Sequence, residues 1–395
     1  MIKLNDKNCT ACGACVQTCP KNCIELKQDE NGFLYPNVNV AECLDCGLCD
    51  KVCPINKQSN EEKSPKAYAC AVADETMLIQ ATSGGVFGAI AGYVLEKGGV
   101  VYGCAYTKHL QVSHVRVDNK KELSTLFGSK YVQSNTGDTF NQCEVDLKAG
   151  KQVLYSGTPC QIAGLKKYLQ KDYANLLTVD LVCHGVASQA YFDKFIDFLE
   201  KEEGAVCTNY NFRSKKNAGW SAAGIASFKK DSGKNFDKKQ YYFSNYYFFY
   251  YYLACSTFRE CCYTCEYANL NRVGDFTLGD FWGAEGLKLP FEVEKGCSLV
   301  LLNSEKAVKV FEKLNLQKHE VSLEVAIKYN KQLSSPSNTS SDRTELLREF
   351  REETAEKIQQ NFKNKNKKQI LIGKIKYMIP KWLKRTLLRI RYKNN

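Results

Sequence analysis

The sequence predicts an α/β fold with mixed α+β elements, and three features carry that prediction. Strand-like and helix-like stretches alternate from residue 66 to about residue 203, which is how a layered sheet with covering helices reads. A doubled cysteine pattern occupies residues 1–58 as a unit of its own. Residues 363–395 hold twelve Lys or Arg and no acid, so the +12 net charge lies in that tail alone, and residues 1–362 balance at 43 against 43. The expected organisation is therefore a small cysteine-dense domain (1–58), a core (66–333), a linker with a polar helix (334–362) and a basic amphipathic tail (363–395).

Bulk composition narrows the function classes. A chain of 395 residues with 44% hydrophobic residues has material for a real core. Its twenty cysteines are to be read as ligands or catalytic groups rather than disulfides. The start "MIKLNDKNC" lacks the apolar core of a signal peptide, and no run of about 18 apolar residues follows anywhere, so a reducing, cytoplasmic setting is expected. Nucleic acid is not expected as a partner, because the body of the chain is neutral.

The linker "NKQSNEEKSPK" separates the first unit from the core. "KAYACAVA" reads as a strand, and "TSGGVFGAIAGYVLEKGG" as a glycine-rich turn opening a helix that stops at Gly98 and Gly99. "VVYGCAY" and "QVSHVRV" are strands, and "NKKELSTLF" is a short helix. "KQVLYSG" runs into the helix "TPCQIAGLKKYLQ", whose Pro159 suits a first helical position. "LLTVDLVCHG" is a buried strand followed by the helix "SQAYFDKFIDFLEKEE". The expected sheet is substantially parallel. Beyond Cys207 come the strands "VCTNYNFRSK", "SAAGIASFKK", "DFTLGDFW" and "CSLVLLN", and the helix "SEKAVKVFEKLN". The aromatic run from Tyr241 to Phe258 reads as an apolar helix filling the core, and "SSPSNTSSD" as a low-complexity linker.

The strongest signal is at the N-terminus. "CTACGACVQTCP" and "CLDCGLCDKVCP" both have the spacing C-x2-C-x2-C-x3-C-P. This is the bacterial two-cluster ferredoxin run, in which the fourth cysteine of each run ligates the other 4Fe-4S cluster. It assigns Cys9, Cys12, Cys15 and Cys53 to one cluster, and Cys43, Cys46, Cys49 and Cys19 to the second. Zinc, the rival, favours two separated C-x2-C pairs. Cys23, outside the repeat, is expected to be a small buried side chain.

Weaker motifs lie in the core. Ser83, Gly84 and Gly85 open a helix, where backbone amides suit a phosphate, although Ser-Gly-Gly also caps ordinary helices. Ser129, Lys130 and Tyr131 in "GSKYVQS" could hold a phosphate or stack on a ring. Cys160 falls in the first turn of a helix, where the dipole is expected to favour thiolate. Cys183 falls at the carboxyl end of the next strand, the edge where ligands collect in open α/β sheets. "CCYTC" adds Cys262 and Cys265. Together Cys160, Cys183, Cys262 and Cys265 make a candidate third 4Fe-4S site, with Cys255 and Cys261 as rival ligands. The alternatives are that Cys160 and Cys183 are small buried residues, or that Cys160 is a redox thiol.

The order of "TSGGVFGAIAGYVLEKGGVVYGCAY", "GSKYVQS", "VLYSGTPCQIAGLKKYL", "DLVCHGV", "FRSKKNAGW" and "CCYTCEYANLNRVGDFTLGDFWG" resembles the coenzyme F420 hydrogenase/dehydrogenase beta subunit family, from Cys9 to about Ser322. Plant reductases of chlorophyll derivatives are similar, so the fold is not tied to one substrate. The resemblance implies an iron–sulfur flavoprotein oxidoreductase that binds FAD beside a 4Fe-4S cluster and passes electrons between clusters and a two-electron partner. It implies flavin contacts at Ser83, Gly84, Gly85, Ser129 and Lys130, and substrate contacts at Arg213, Lys215 and Trp220. Arg272, Asp275 and Asp280 frame the cluster loop. Charges in these segments are also ordinary as solvated faces or structural ion pairs. Of the four histidines only His184 sits in a motif; His109, His114 and His319 are expected at the surface or satisfied. The implied partners are ferredoxin or another redox protein and a small-molecule two-electron acceptor or donor. One rival reading is a ferredoxin-dependent flavin reductase acting on an unknown organic acceptor. Another is a non-catalytic electron-transfer subunit.

In the tail, Ile379, Trp382, Leu383, Leu387 and Ile390 share a helical face, with Leu388 off the pattern. Lys381, Lys384, Arg385, Arg389 and Arg391 lie mostly opposite. A basic amphipathic helix of this kind suits an anionic membrane surface, or else a partner protein.

Overall fold

The structure, a computed structural model, describes residues 7–55, 64–215, 220, 223–241 and 246–379. The tail residues 381–395, including Trp382, Leu383, Leu387 and Ile390, lie outside the described residues, as do 216–219 and 242–245. Among the described residues no helix is long and apolar enough to cross a membrane.

The N-terminal unit pairs β1 (Ile24–Gln28) with β2 (Leu34–Val38) antiparallel, beside two one-turn helices, α1 (Ala14–Gln17) and α2 (Leu48–Lys51). Gly13 at φ 84° and Gly47 at φ 70° precede these helices in matching left-handed turns. At Gly13 glycine is obligatory on a second ground, since a Cβ there would collide with the Thr136 hydroxyl.

The core opens with β3 (Lys66–Val72), α3 (Glu75–Gln80), α4 (Val86–Glu96), β4 (Val100–Tyr106) and β5 (Val112–Val117). Then come α5 (Thr139–Lys148), β6 (Val153–Ser156), α6 (Pro159–Leu169), β7 (Leu176–Leu181) and α7 (Gln189–Glu203). An antiparallel sheet of β8 (Val206–Asn211), β9 (Ala223–Lys229) and β10 (Asn235–Tyr241) follows, then α8 (Tyr247–Leu253). The chain re-enters the main sheet as β11 (Phe276–Asp280), β12 (Ser298–Leu302) and β13 (Leu316–Val321), with α9 (Glu305–Phe311) and α10 (Leu323–Tyr329) between and after them.

The main sheet has the order β13-β3-β12-β11-β7-β6-β4-β5. Only its centre, β11, β7, β6 and β4, is parallel; β5, β12, β3 and β13 all pair antiparallel. The expectation of a substantially parallel sheet is corrected to a mixed one. A tight connection at 107–111 returns β5 against β4, where a parallel partner would need a long crossover. "NKKELSTLF" forms a 3-10 turn, Leu123–Leu126, rather than an α-helix.

Alternation along the central strands builds three layers. Val101, Leu154 and Val179 face α4 and α9 through Ile90, Val94 and Phe311. Tyr102, Tyr155 and Leu176 face the opposite way, onto Phe140 of α5 and Ile162 and Leu165 of α6. Cys12, Ala14 and Val52 belong to that second cluster, so the N-terminal unit shares a hydrophobic core with the sheet.

A separate, largely aromatic core joins α7, α8 and β8, with Phe192, Phe195, Phe212 and Phe248 fully buried. As expected, the aromatic run supplies a core helix. The segment expected as linker and polar helix instead contributes α11 (Arg343–Glu352) and α12 (Ala355–Lys365), followed by α13 (Lys367–Met378). Leu346, Ile358 and Phe362 are buried in the aromatic core, although α11 and α12 look polar in sequence.

Candidate functional site

The two N-terminal cysteine loops have the same local geometry. The amide of Ala11 donates to Cys9 Sγ at 3.4 Å, and that of Asp45 donates to Cys43 Sγ at 3.4 Å. Ala11 and Asp45 both adopt φ 48°. Each left-handed kink folds the loop back on its first cysteine. Burial pushes the Cys12 thiol up to about 12, with Cys9 and Cys53 adding repulsion. Cys15 is raised by burial and then by Cys12, Cys9, Cys53 and Cys49. Thus Cys9, Cys12, Cys15 and Cys53 are mutual neighbours, and Cys15 also adjoins Cys49 of the other set. Cys19, Cys43, Cys46 and Cys49 line one small cavity. Cys23 lines it too, 3.4 Å from Cys19 Sγ, so it is buried as expected but not remote from the ligand candidates.

The second feature is a cavity of about 650 Å³ at the carboxyl ends of β4, β6, β7 and β11, closed on one side by Asn8 and Thr10 of the N-terminal unit. Its size is in the range of small-molecule and cofactor sites. Cys160, Cys183, Cys261, Cys262 and Cys265 all line it. Cys160 stands in the first turn of α6, behind a capping box of Thr158 and Gln161, with the Thr158 hydroxyl 3.2 Å from its Sγ. The expectation of a dipole-lowered thiol is corrected: burial raises the Cys160 thiol well above its usual range, and Thr158 only opposes this. Cys183 is pushed up to about 12 by burial and by Cys265, while the Gly185 amide and Arg272 oppose it. The Cys262 thiol is raised by a hydrogen bond with the Cys261 thiol, by burial and by Cys261, Cys183 and Cys160. Cys261 is the rival candidate that joins this set. Cys255 lies apart from it, beside Ser337.

Among the described residues no three His, Cys, Asp or Glu side chains gather around a single ion.

At the cavity wall α4 begins at Gly85, φ 83°, where a Cβ would press on Val72 at 2.6 Å. Gly84 packs against Cys70 O so closely that any side chain would collide, and its amide donates to Ser298 Oγ at 2.8 Å. Ser83 Oγ donates to Cys297 O, and the Ser129 amide donates to Thr82 Oγ1, both at 2.8 Å. Lys130 donates to three backbone carbonyls, Cys104 O, Thr125 O and Phe127 O, at 2.9–3.2 Å. Three donors are all an ammonium has, so Lys130 ties its loop together and brings its charge to the wall. His114 also lines the cavity, neutral by burial. Its Nε2–H donates to Ser156 O at 2.9 Å, leaving Nδ1 to accept from Ser134 Oγ.

Arg213 and Trp220 converge on Asp280. Arg213 forms an ion pair with it, and Trp220 Nε1 donates to Oδ1 at 3.2 Å. Trp220 stacks face to face on Trp282, ring centroids 5.3 Å apart, and Trp282 reaches the cavity at 40% exposure. Lys215 turns away, donating to Leu78 O and Ser83 O, with burial bringing its ammonium down to about 7. Arg272 and Asp275 are buried structural groups. Arg272 pairs with Asp180 at 2.9 Å, and Asp275 accepts from Thr178 and Ser304. Sequence reasoning missed Trp282, Cys104 and Arg259 at this site. Trp282 and Cys104 lie inside the matched segments and Arg259 borders one, but nothing local marked any of them as facing the cavity.

Two families match the chain. Residues 150–325 match the family described as the C terminus of the coenzyme F420 hydrogenase/dehydrogenase beta subunit, and residues 8–57 match the 4Fe-4S dicluster domain. No curated protein matches. Among solved structures the chain is similar to one from the F420-reducing NiFe hydrogenase complex of Methanosarcina barkeri. That match has 14% identity over 78% of this chain and 94% of that one, with a TM-score of 0.43. Residues 150–325 thus carry the C-terminal region of the coenzyme F420 hydrogenase/dehydrogenase beta subunit family, behind a 4Fe-4S dicluster domain at residues 8–57.

Proposed function

We propose that this chain is an iron–sulfur flavoprotein oxidoreductase, moving electrons between 4Fe-4S clusters and a two-electron substrate through FAD held in the 650 Å³ cavity. The observation that carries this reading is the continuity of the cysteine groups. The Cys19, Cys43, Cys46, Cys49 set adjoins the Cys9, Cys12, Cys15, Cys53 set through Cys15 and Cys49. That set reaches the core cysteines through Cys9, whose carbonyl oxygen accepts from Arg259 two residues before Cys261, and the core cysteines line the cavity. Each set offers four or more thiols, which is the donor chemistry of a cubane. In the core set Cys160, Cys183, Cys262 and Cys265 are the assigned ligands, with Cys261 the nearest substitute.

Bound FAD would supply the exchange between one-electron and two-electron, hydride-type chemistry. The chain's own residues bind and orient. The first amides of α4 face the cavity without a side-chain cap and offer donors to a phosphate. Lys130 holds the Thr125–Lys130 loop against the wall through its three carbonyl bonds. Trp282, Tyr252 and Leu181 give an apolar surface for a ring system, and the Arg213–Asp280–Trp220 triad holds Trp282 flat from behind. A small two-electron donor or acceptor of the deazaflavin type, or an organic acceptor served by ferredoxin, would approach across Trp282. A redox protein would dock at the exposed Cys46 side of the N-terminal unit.

Anaerobic reduction tests the reading. Flavin in the full-length protein should be reduced both by a hydride donor and through the clusters. Clusters without bound flavin would make the chain an electron-transfer subunit instead. The basic tail is proposed to hold the protein at an anionic membrane surface, and α13, in the tail's first half, exposes Leu371, Ile372 and Ile375. Deleting 363–395 should abolish salt-sensitive binding to phosphatidylserine liposomes. Sedimentation of the truncated protein with them would reject that role.

A further inference from the structure

Arg259 is 1% exposed, one of the largest fully buried side chains in the protein. Among the described residues it forms no ion pair with a carboxylate, whereas its neighbour Glu260 pairs with Arg343 at 3.0 Å. Its Nε–H donates to Cys9 O at 2.6 Å, and Nη1 donates to Gln133 Oε1 at 3.3 Å. Nη2 is buried with no acceptor among the described residues. The guanidinium carbon lies 4.0 Å from the centroid of the Tyr35 ring and 5.9 Å from that of Phe33. A permanently charged group so placed is costly unless an anion answers it. Its contacts lie on both cysteine groups: Nε–H is bonded to the backbone of the ligand Cys9, and Arg259 stands two residues before Cys261 on the cavity wall. Arg259 therefore stands between the N-terminal cysteine set and the core set, at the one seam across which electrons would pass.

The seam is held in register by Gln133, which donates to Thr10 O at 2.9 Å while accepting from Arg259. Thr136 donates to Cys12 O at 3.0 Å. The pseudo-symmetric loop at Cys43–Cys49 faces solvent instead, with Leu44 62% exposed and Cys46 exposed. Two loops of matching local geometry thus differ in burial, one packed against Arg259 and the other facing solvent. Net charge, hydrogen bonds and solvent exposure are what set the potential of a protein-bound cluster.

We propose that Arg259 is an electrostatic positioning residue. Its buried guanidinium answers the negative charge of the cluster held by Cys9, Cys12, Cys15 and Cys53, makes that cluster easier to reduce than its solvent-facing twin, and thereby directs electrons inward. This rests on the cluster assignments above. The step moves one electron from the outer to the inner cluster and requires no proton from Arg259, which stays charged throughout.

The test is a potentiometric titration of the full-length holoprotein followed by electron paramagnetic resonance, on wild type, Arg259→Met, Arg259→Gln and Arg259→Lys. In Arg259→Met the reduced-to-oxidised ratio of one N-terminal cluster should fall at least tenfold at fixed potential, 59 mV for a one-electron couple, while its twin stays put. Arg259→Lys should stay near wild type. Unchanged potentials with full iron content would overturn the proposal. Should Arg259→Met lose iron, the Lys and Gln variants decide, because both shorten the side chain and only Lys keeps the charge. Equal potentials in those two would also overturn it. A wild-type protein with fewer than about eight irons would instead reject the underlying cluster reading.

Discussion

Asp180 is the penultimate residue of β7, the strand that leads to Cys183, and Arg272 follows the loop that carries Cys262 and Cys265. Their side chains are 0% and 2% exposed and meet at 2.9 Å. The Asp180 carboxylate also accepts from the amides of Val273 at 3.2 Å and Gly274 at 2.8 Å. Asp180→Asn keeps the shape but removes the charge, and one of its atoms becomes a donor facing donors. Breaking one side of a buried ion pair costs about 3–5 kcal/mol. A chain of 395 residues has an unfolding entropy near 0.8 kcal/mol per degree, so the melting temperature should fall by about 4–6 °C. Differential scanning calorimetry of the full-length protein reads this directly. A double-mutant cycle with Arg272→Met should return a coupling above about 2 kcal/mol. A change of less than about 1 kcal/mol in Asp180→Asn would show that the pair does not hold the cysteine loop to the strand.

Replacing Cys262 by Ser should lower iron from about twelve to about eight per chain and spare the N-terminal sets. Hydride reduction of bound flavin should survive in that variant while electron flow from the clusters to flavin stops. Cys255→Ser, set apart beside Ser337, is the control, and full iron content in Cys262→Ser would reject the ligand assignment. Acid stability tests a different group. Burial works to raise the Asp146 carboxyl, but bonds from Arg116, Lys151 and Tyr102 outweigh it and bring it down to about 2. A depressed carboxyl stabilises the fold above its unfolded value, and that stability is lost as pH falls from about 4 to about 2. The amount is about 2 kcal/mol, and it should vanish from the pH slope of urea midpoints in Asp146→Asn. An identical slope in the two proteins would refute this.

Much of this fold and site was legible because local chemistry and tertiary placement agree. The ferredoxin run fixes its own loops through Gly13 and Gly47. Pro159 behind Thr158, and Ser188 before α7, mark helix starts that the structure keeps. Cys160 and Cys183 could be brought together because both follow parallel strands to the same sheet edge. Other features lay beyond local signals. The flanking strands β3, β12 and β13 pair antiparallel through contacts far apart in sequence. Residues 343–365 read as polar, yet a few apolar residues such as Leu346, Ile358 and Phe362 dock both helices on the aromatic core. Cys160 carried a helix-dipole signal for thiolate, and burial, invisible in sequence, outweighs it. Arg259 is one basic residue among 55 Lys and Arg, and only its burial at the seam sets it apart.

The central claim is that the cavity joins a flavin to a third iron–sulfur site fed by the N-terminal pair. Anaerobic quantification of iron and flavin in the purified full-length protein, with its absorption spectrum, tests this most directly. The account predicts about twelve irons and one FAD per chain, at four irons per cubane. About eight irons and no flavin would contradict it.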